Sequence, residues 1–384
     1  MSAIQSEGSR FANHPVVINL AFVGKKPTGL ATYAINLIPQ LNLPQSVLLA
    51  STSFQPRLPA KTVCHTVPAN LTYEQGKIGH FRRMVWTQNQ LPRICNDLRA
   101  SLLFSPVPEA PLGLRCPLVV MVHDLIPLRF PRLTSPLTQY FRFYVPQVLK
   151  QAQHILCNSK ATAQDVVNFF QIPAAKVTTI PLAHDAEHFR VLPLVREKPP
   201  DRPYFLYVGR HDPYKNLARL LEAFAALPQP EAANYELWIA GAADPRFTPT
   251  LQMQAAELSI AEQVKFLDYV TYDQLPVLLN RAMAMVYPSL WEGFGFPVLE
   301  AMACGTPVIT SNLASLPEVA GEASILVNPY YTAEITAAMQ QVIRDADVRL
   351  QMQAAGLARA AQFSWNKTAQ ATAKVLQDCV QHCV

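Results

Sequence analysis

Residues 287–312 read YPSLWEGFGFPVLEAMACGTPVITSN. The apolar run leading into them, AMVYPS, ends as a strand at Ser289, and a glycine-rich turn follows. Pro297 is then placed as the first residue of a helix, where its missing N–H leaves no partner wanting. A second strand-like run, PVITSN (307–312), comes after that helix. Glu292 falls in the loop, and Glu300, eight residues on, is expected in the first helical turn, where the positive end of the dipole tolerates an acid. Gly293 and Gly295 let backbone amides approach a ligand closely. Two carboxylates and a row of amide donors suit a hydroxyl-rich ligand. A lone glutamate pair would read as a capping acid and a surface acid; the setting EGFGFPVLEAMACGTPV favours the binding role.

The same alternation runs outward in both directions. Strand-like runs occur at 15–23, 46–51, 102–105, 118–124, 154–159, 177–183, 204–209, 235–241, 263–270 and 323–329, separated by helix-period segments such as NLARLLEAFAAL and TYDQLPVLLNRA. Continuous β-branched runs alternating with helices indicate parallel sheets covered on both faces. At 384 residues the chain exceeds what one core supports. The expected fold is α/β: two Rossmann-like domains facing a cleft, with ligands at the C-terminal strand ends. Proline and charge without hydrophobic period mark 193–203 as a linker. This predicts an N-terminal domain over 1–192, a C-terminal domain over 204–364, and a last helix over 365–384 that could close either one.

Half of the residues are hydrophobic and only 15% are charged, which excludes a disordered or fibrous chain. No apolar run is long enough to span a bilayer, and MSAIQSEGSRFANHP lacks the apolar core of a signal peptide. A cytoplasmic location is expected, with peripheral contact to the inner membrane face left open. Seven cysteines without a CxxC argue against a disulfide framework. Cys379 and Cys383, with His382 between them, read as a reduced, exposed helix end rather than a metal pair.

A second informative stretch is YVGRHDPYKNLARLLEAF (207–224). Its strand ends at Gly209, and Asp212 or Asn216 opens the next helix. Arg210 and Lys215 stand just ahead of that helix, where cations face the unfavourable end of the dipole. A bound anion removes the objection, since helix N-termini with basic neighbours hold phosphates well.

Together these segments resemble a known family. EGFGFPVLE resembles the E-x7-E signature of family-4 glycosyltransferases, retaining enzymes of GT-B fold, and VGRHDPYKN resembles their G-R-x(n)-K-N diphosphate-binding segment. FLDYVTYDQLPVLLNRA, SLPEVAGEA and NSKATAQDVV are similar to segments at matching places in that family. The resemblance implies that Arg210 and Lys215 neutralise the donor diphosphate. It implies that Glu292 holds the donor sugar's hydroxyls with help from the amides of Phe294 and Gly295, and that Glu300 holds the ribose. Tyr269 and Val270 would lie by the nucleobase. KPTGLATYAINL (26–37) stands where the family has a glycine-rich turn opening the first helix, usually with two adjacent glycines. Only Gly29 is present here, after Thr28, and its implied contact is to donor phosphate. VHDLIPLRFP resembles the mannosyltransferase-like branch, which gives His123 a contact to the donor sugar near the reacting carbon and leaves the role of Asp124 open. The same likeness favours GDP-mannose as donor over UDP- and dTDP-sugars.

The implied reaction moves a hexose from a nucleoside-diphosphate sugar, with retention, to a hydroxyl of a glycan or lipid-linked acceptor in cell-surface glycan or glycolipid synthesis. With two cations to balance the leaving diphosphate, neither a metal nor another cofactor is expected. Asp345-Ala346-Asp347 matches the D-x-D of metal-dependent transferases but joins two helices, and Lys25-Lys26 reads as solvated. No nucleic-acid partner is expected. An epimerase or phosphorylase of the same fold is disfavoured by the intact E-x7-E with Arg and Lys. The rival from another class is an inactive GT-B scaffold partnering another transferase. It should lose the charged donor contacts first, and all four are present.

Charge divides unevenly. Residues 1–190 hold 18 Lys and Arg against 8 Asp and Glu, a net +10, whereas 191–384 hold 14 against 19, a net −5. Within the basic half, KIGHFRRMVWTQNQLPRI (77–94), if helical, sets Ile78, Phe81 and Val85 along one side, with Met84 near them and Lys77, Arg82, Arg83 and Arg93 close by. Two readings stay open: a helix lying on an anionic membrane, or a half-buried helix whose arginines are solvated or bind a polyanionic acceptor.

Overall fold

The computed structural model describes residues 14–24, 29–43, 45–52, 54, 62–193, 200–228 and 232–381. Lys25, Lys26, Thr28, His382, Cys383 and most of the expected linker lie outside the described residues. The chain forms two compact units, one of residues 1–182 with 365–384 and one of residues 183–364.

Among the described residues, the first unit is built on a seven-stranded sheet ordered β3-β2-β1-β4-β5-β6-β7. Its strands are β1 Val16–Asn19, β2 Ser46–Ser51, β3 Cys64–Val67, β4 Leu102–Ser105, β5 Leu118–Val122, β6 His154–Cys157 and β7 Val177–Thr179. The second unit carries six strands ordered β10-β9-β8-β11-β12-β13. These are β8 Tyr204–Val208, β9 Glu236–Ala240, β10 Val264–Phe266, β11 Ala284–Tyr287, β12 Val308–Ser311 and β13 Ile325–Val327. Every pairing among the described residues is parallel. The central strands read as unbroken apolar runs because helices cover both faces: β5 (LVVMV) and β11 (AMVY) are buried throughout. Two Rossmann-like parallel sheets therefore form as the alternation requires.

Strand order also fixes where ligands collect. In the second unit the chain leaves β8 toward β9 and β10, then returns to place β11 on the other side of β8. The strand order reverses between β8 and β11, and loops leaving the C-terminal ends of such neighbours splay apart into a crevice. In the first unit the reversal falls between β1 and β4.

The units part after Leu182, ahead of the proline-rich stretch that the sequence marks as linker. Phe189 is buried, the Leu192 amide donates to Asn280 Oδ1 at 2.9 Å, and Asn280 Nδ2 donates to the Arg190 carbonyl. Residues 183–192 are thereby fastened to the second unit, since packing and hydrogen bonds, not the change of charge, decide membership. The closing helix, Trp365–Gln381, belongs to the first unit. It buries Trp365, Thr368, Ala369, Thr372, Ala373, Leu376 and Cys379, a helical stripe, and Thr368 Oγ1 donates to the Pro181 carbonyl. Cys379 is thus buried rather than at an exposed end, and none of the six described cysteines is in a disulfide.

Candidate active site

β8 and β11 deliver the two informative loops to the same place. After β8 a single 3-10 turn, Pro213–Lys215, precedes the helix Leu217–Ala225. Asn216 joins them in the left-handed region (φ 63°), a conformation that asparagine tolerates better than most residues. Its Nδ2 donates to the carbonyls of Pro288 and Pro329, at 3.1 and 2.7 Å. The Leu290 amide donates to the Tyr214 carbonyl at 2.8 Å. These bonds lock the loop after β8 to the loop after β11.

Lys215 and Glu292 meet there. Lys215 Nζ lies 2.6 Å from Glu292 Oε1 and 2.7 Å from the Tyr287 hydroxyl, which itself donates to Glu292 Oε1 at 2.9 Å. Lys215 is 9% and Glu292 8% exposed, and Tyr287 is fully buried. Burial works against the ammonium, but Glu292 beside it, with Tyr207 and Tyr214 adding, holds the lysine charged, above its ordinary value. Burial and the adjoining carboxylate push the Tyr287 phenol well up, so it stays a hydroxyl. Sequence reading did not single out Tyr287. Its place at the end of β11, five residues before Glu292, was the available signal.

Arg210 is directed elsewhere. Its side chain is largely exposed, 3.0 Å from Asp212 Oδ2 and 3.0 Å from the Tyr214 hydroxyl. The two cations expected at a diphosphate are therefore each paired with a carboxylate in the structure.

The loop after β11 is held from behind. Ser315 Oγ donates to the carbonyls of Glu292 and Phe294, at 3.0 and 2.8 Å. Among the described residues, the amides of Phe294 and Gly295 make no protein hydrogen bond. Gly295 sits at φ 105°, and a Cβ there would come 2.7 Å from Leu316 Cδ2, so only glycine fits. Phe294 is buried, edge-on to Phe296 and Phe363. The helix runs Phe296–Ala303, with Pro297 as its second residue.

Glu300 is the fifth residue of that helix, not part of its first turn, so the dipole does not account for its acid. It is half-buried, and burial, with Asp185 adding, pushes its carboxyl up to about 8. Around it the second unit gathers Tyr272, whose hydroxyl donates to Asp185 Oδ2 at 3.1 Å and whose ring stacks on His188 at 3.7 Å. Tyr269 is 70% exposed and Val270 half-buried, both beyond the end of β10.

The remaining expected residues lie in the first unit. Gly29 opens the helix Gly29–Leu37, and a Cβ there would meet nothing within 4 Å. His123 follows β5 and is buried, with Nε2 donating to the Pro106 carbonyl at 2.9 Å and Tyr33 edge-on at 4.9 Å. Burial pulls its pKa down to about 4, which leaves a neutral ring at physiological pH. Asp124 Oδ1 accepts from the Ile126 amide. The D-x-D pair is accounted for structurally: Asp345 caps the helix Ala346–Ala360 by accepting from the Val348 amide.

Comparison with known proteins agrees with this fold. Residues 27–188 match the family model described as Glycosyltransferase Family 4, and residues 193–359 the model described as Glycosyl transferases group 1. The chain belongs to the family-4 glycosyltransferases of GT-B fold. The chain is similar to the O-antigen chain mannosyltransferase B of Escherichia coli, 33% identical over 255 residues that cover 64% of this chain and 66% of the relative. The O-antigen chain mannosyltransferase RfbU of Salmonella typhimurium is 28% identical over 327 residues, covering 82% and 87%. The serotype-specific mannosyltransferase WbdA of Escherichia coli matches 65% of this chain, which spans only 32% of that protein. Anabaena HepE, solved in complex with UDP and glucose, has the same fold, with a TM-score of 0.72 over 95% of this chain and 100% of that one at 18% identity.

Proposed function

We propose that this glycosyltransferase moves a hexose, mannose first among candidates, from a nucleoside-diphosphate sugar to an acceptor hydroxyl with retention at the anomeric carbon. The product belongs to cell-surface glycan synthesis, and the acceptor is a glycan or a lipid-linked saccharide. The observation that carries this reading is the buried Lys215–Glu292–Tyr287 cluster at the point where strand order reverses. Mannosyltransferase relatives and the VHDLIPLRFP segment support GDP-mannose over UDP- and dTDP-sugars.

In this reading the site holds its charges in pairs. An arriving diphosphate draws Lys215 and Arg210 away from Glu292 and Asp212, and Glu292 turns to the sugar hydroxyls. Bond cleavage puts negative charge on the leaving diphosphate, where preorganised cations stabilise it without a metal. His123, neutral and hydrogen-bonded to a carbonyl, contributes as a hydrogen-bonding group to the donor sugar rather than as a proton donor. Phe294 and Gly295 offer amides to the same sugar, Glu300 takes the ribose, Tyr269 and Val270 flank the base, and Gly29 approaches the phosphate. An inactive scaffold would be free to lose its charged donor contacts, and Arg210, Lys215, Glu292 and Glu300 are all retained. The test is transfer of labelled sugar from GDP-mannose, UDP-glucose and a dTDP-hexose to a glycolipid acceptor fraction, with the product anomer read by NMR. Incorporation from GDP-mannose as the α-anomer is expected. An inverted product, or incorporation from none of the three, overturns the proposal.

A further inference from the structure

The helix Gly76–Asn89 presents its apolar side outward. Its buried residues are Gly79, Arg83, Trp86 and Thr87, whereas Ile78, Phe81 and Val85 are 62%, 70% and 47% exposed. The latter three stand at i, i+3 and i+7, one continuous face. The inner side is fixed by polar bonds. Arg83 Nε lies 2.9 and 3.1 Å from the two Glu109 carboxylate oxygens, its Nη1 donates to the Leu71 carbonyl, and Thr87 Oγ1 donates to Glu109. A Cβ on Gly79 would fall 2.2 Å from the Thr72 carbonyl oxygen, so the backbones touch there. The helix cannot roll to bury its apolar stripe without breaking this anchor.

The exposed face is also basic. Lys77 and Arg82 are exposed beside the stripe, and Arg82 lines a shallow hollow with Phe81, Val85 and Trp86. Gln88 ties the helix to the Tyr144 hydroxyl and the Ala110 carbonyl. The segment before Tyr144 repeats the pattern, with Leu133, Leu137 and Phe143 at 69%, 53% and 61% exposure beside the exposed Arg132 and Arg142. Across residues 75–150, ten Lys and Arg stand against three Asp and Glu, one of which, Glu109, is committed to Arg83.

We propose that this face docks the protein reversibly on an anionic phospholipid bilayer. Ile78, Phe81 and Val85 enter the interfacial layer while Lys77 and Arg82 meet lipid phosphates. A second copy of the chain is a poor occupant, because it would set cation against cation. No described helix is long and apolar enough to cross a membrane. The inference rests on the first unit alone and stands apart from the donor reading.

The test is co-sedimentation of the full chain with phosphatidylcholine vesicles, with and without phosphatidylglycerol, at low and high salt. The variants are Phe81→Glu and Arg82→Glu, with Met253→Glu, an exposed residue of the other unit, as control. Binding to the anionic vesicles is expected, weakened about 10-fold or more by salt and by either variant, with Met253→Glu unchanged. Unaltered thermal unfolding of the variants establishes that they fold. No vesicle binding, or equal binding to neutral vesicles, overturns the proposal. So does loss with Arg82→Glu but not with Phe81→Glu, which marks a polyanion site, or a Phe81-dependent dimer by sedimentation velocity.

Discussion

Removing one partner of the Lys215–Glu292 pair should cost far more than removing both. The two groups are 2.6 Å apart, and neither is more than 9% exposed. A buried charge left without its partner typically costs about 3–5 kcal/mol, whereas loss of both charges leaves a site that needs no counter-ion. Lys215→Met should lower the melting temperature of the second unit by roughly 10 °C, at about 2–4 °C per kcal/mol for a domain of this size. Glu292→Gln should do much the same. The double variant should recover most of that loss, giving a coupling energy of about 2–3 kcal/mol. Scanning calorimetry on the full chain reads all four proteins, and the expected order is wild type, then double variant, then the two singles. Additive losses, or single variants that melt with the wild type, would show that the pair does not form in solution.

Three further outcomes follow from the same geometry. Lys215→Ala and Glu292→Ala should each lower kcat/KM by at least ~100-fold, about 2.7 kcal/mol of transition-state stabilisation, and steady-state kinetics with a folded Lys215→Ala variant at near-wild-type turnover would dismiss its role. Activity should survive exhaustive chelation, because Arg210 and Lys215 supply the positive charge; loss restored only by Mg²⁺ or Mn²⁺ would contradict this. Glu300 holds a proton in the native state that the unfolded chain releases, so stability falls as pH rises from about 4.5 to about 8. Glu300→Gln should therefore match wild type in thermal unfolding below pH 4.5 and exceed it above pH 8; equal melting at pH 9 would count against the raised carboxyl.

The fold was legible because strand burial is written in composition. Each strand-like run contains an observed strand, although ten of the twelve strands stop one to four residues short, where the chain turns into loops. β3 was missed: as an edge strand it leaves His65 and Thr66 exposed, so CHTV lacks the apolar signature. At the site, glycines and charges flanking strand ends marked the loops after β8 and β11. The Lys215–Glu292 contact was beyond reach, since no spacing rule links residues on two loops that only the sheet brings together. Tyr287 read as a strand residue because its ring is one; only the direction of its hydroxyl makes it part of the site. Arg83 illustrates the converse, a residue taken for surface charge that a distant glutamate draws inward.

The most direct measurement is thermal protection of the full chain by a panel of sugar nucleotides and free nucleoside diphosphates, wild type beside Lys215→Ala. A ligand that binds only the folded state stabilises it by about 2.7 kcal/mol at one hundred times its Kd. GDP-mannose should raise the wild-type melting temperature by several degrees, GDP should do so less, and both effects should fade in Lys215→Ala. A panel in which nothing protects, or in which Lys215→Ala is protected as well as wild type, would contradict the assignment of the Lys215 site to the donor diphosphate.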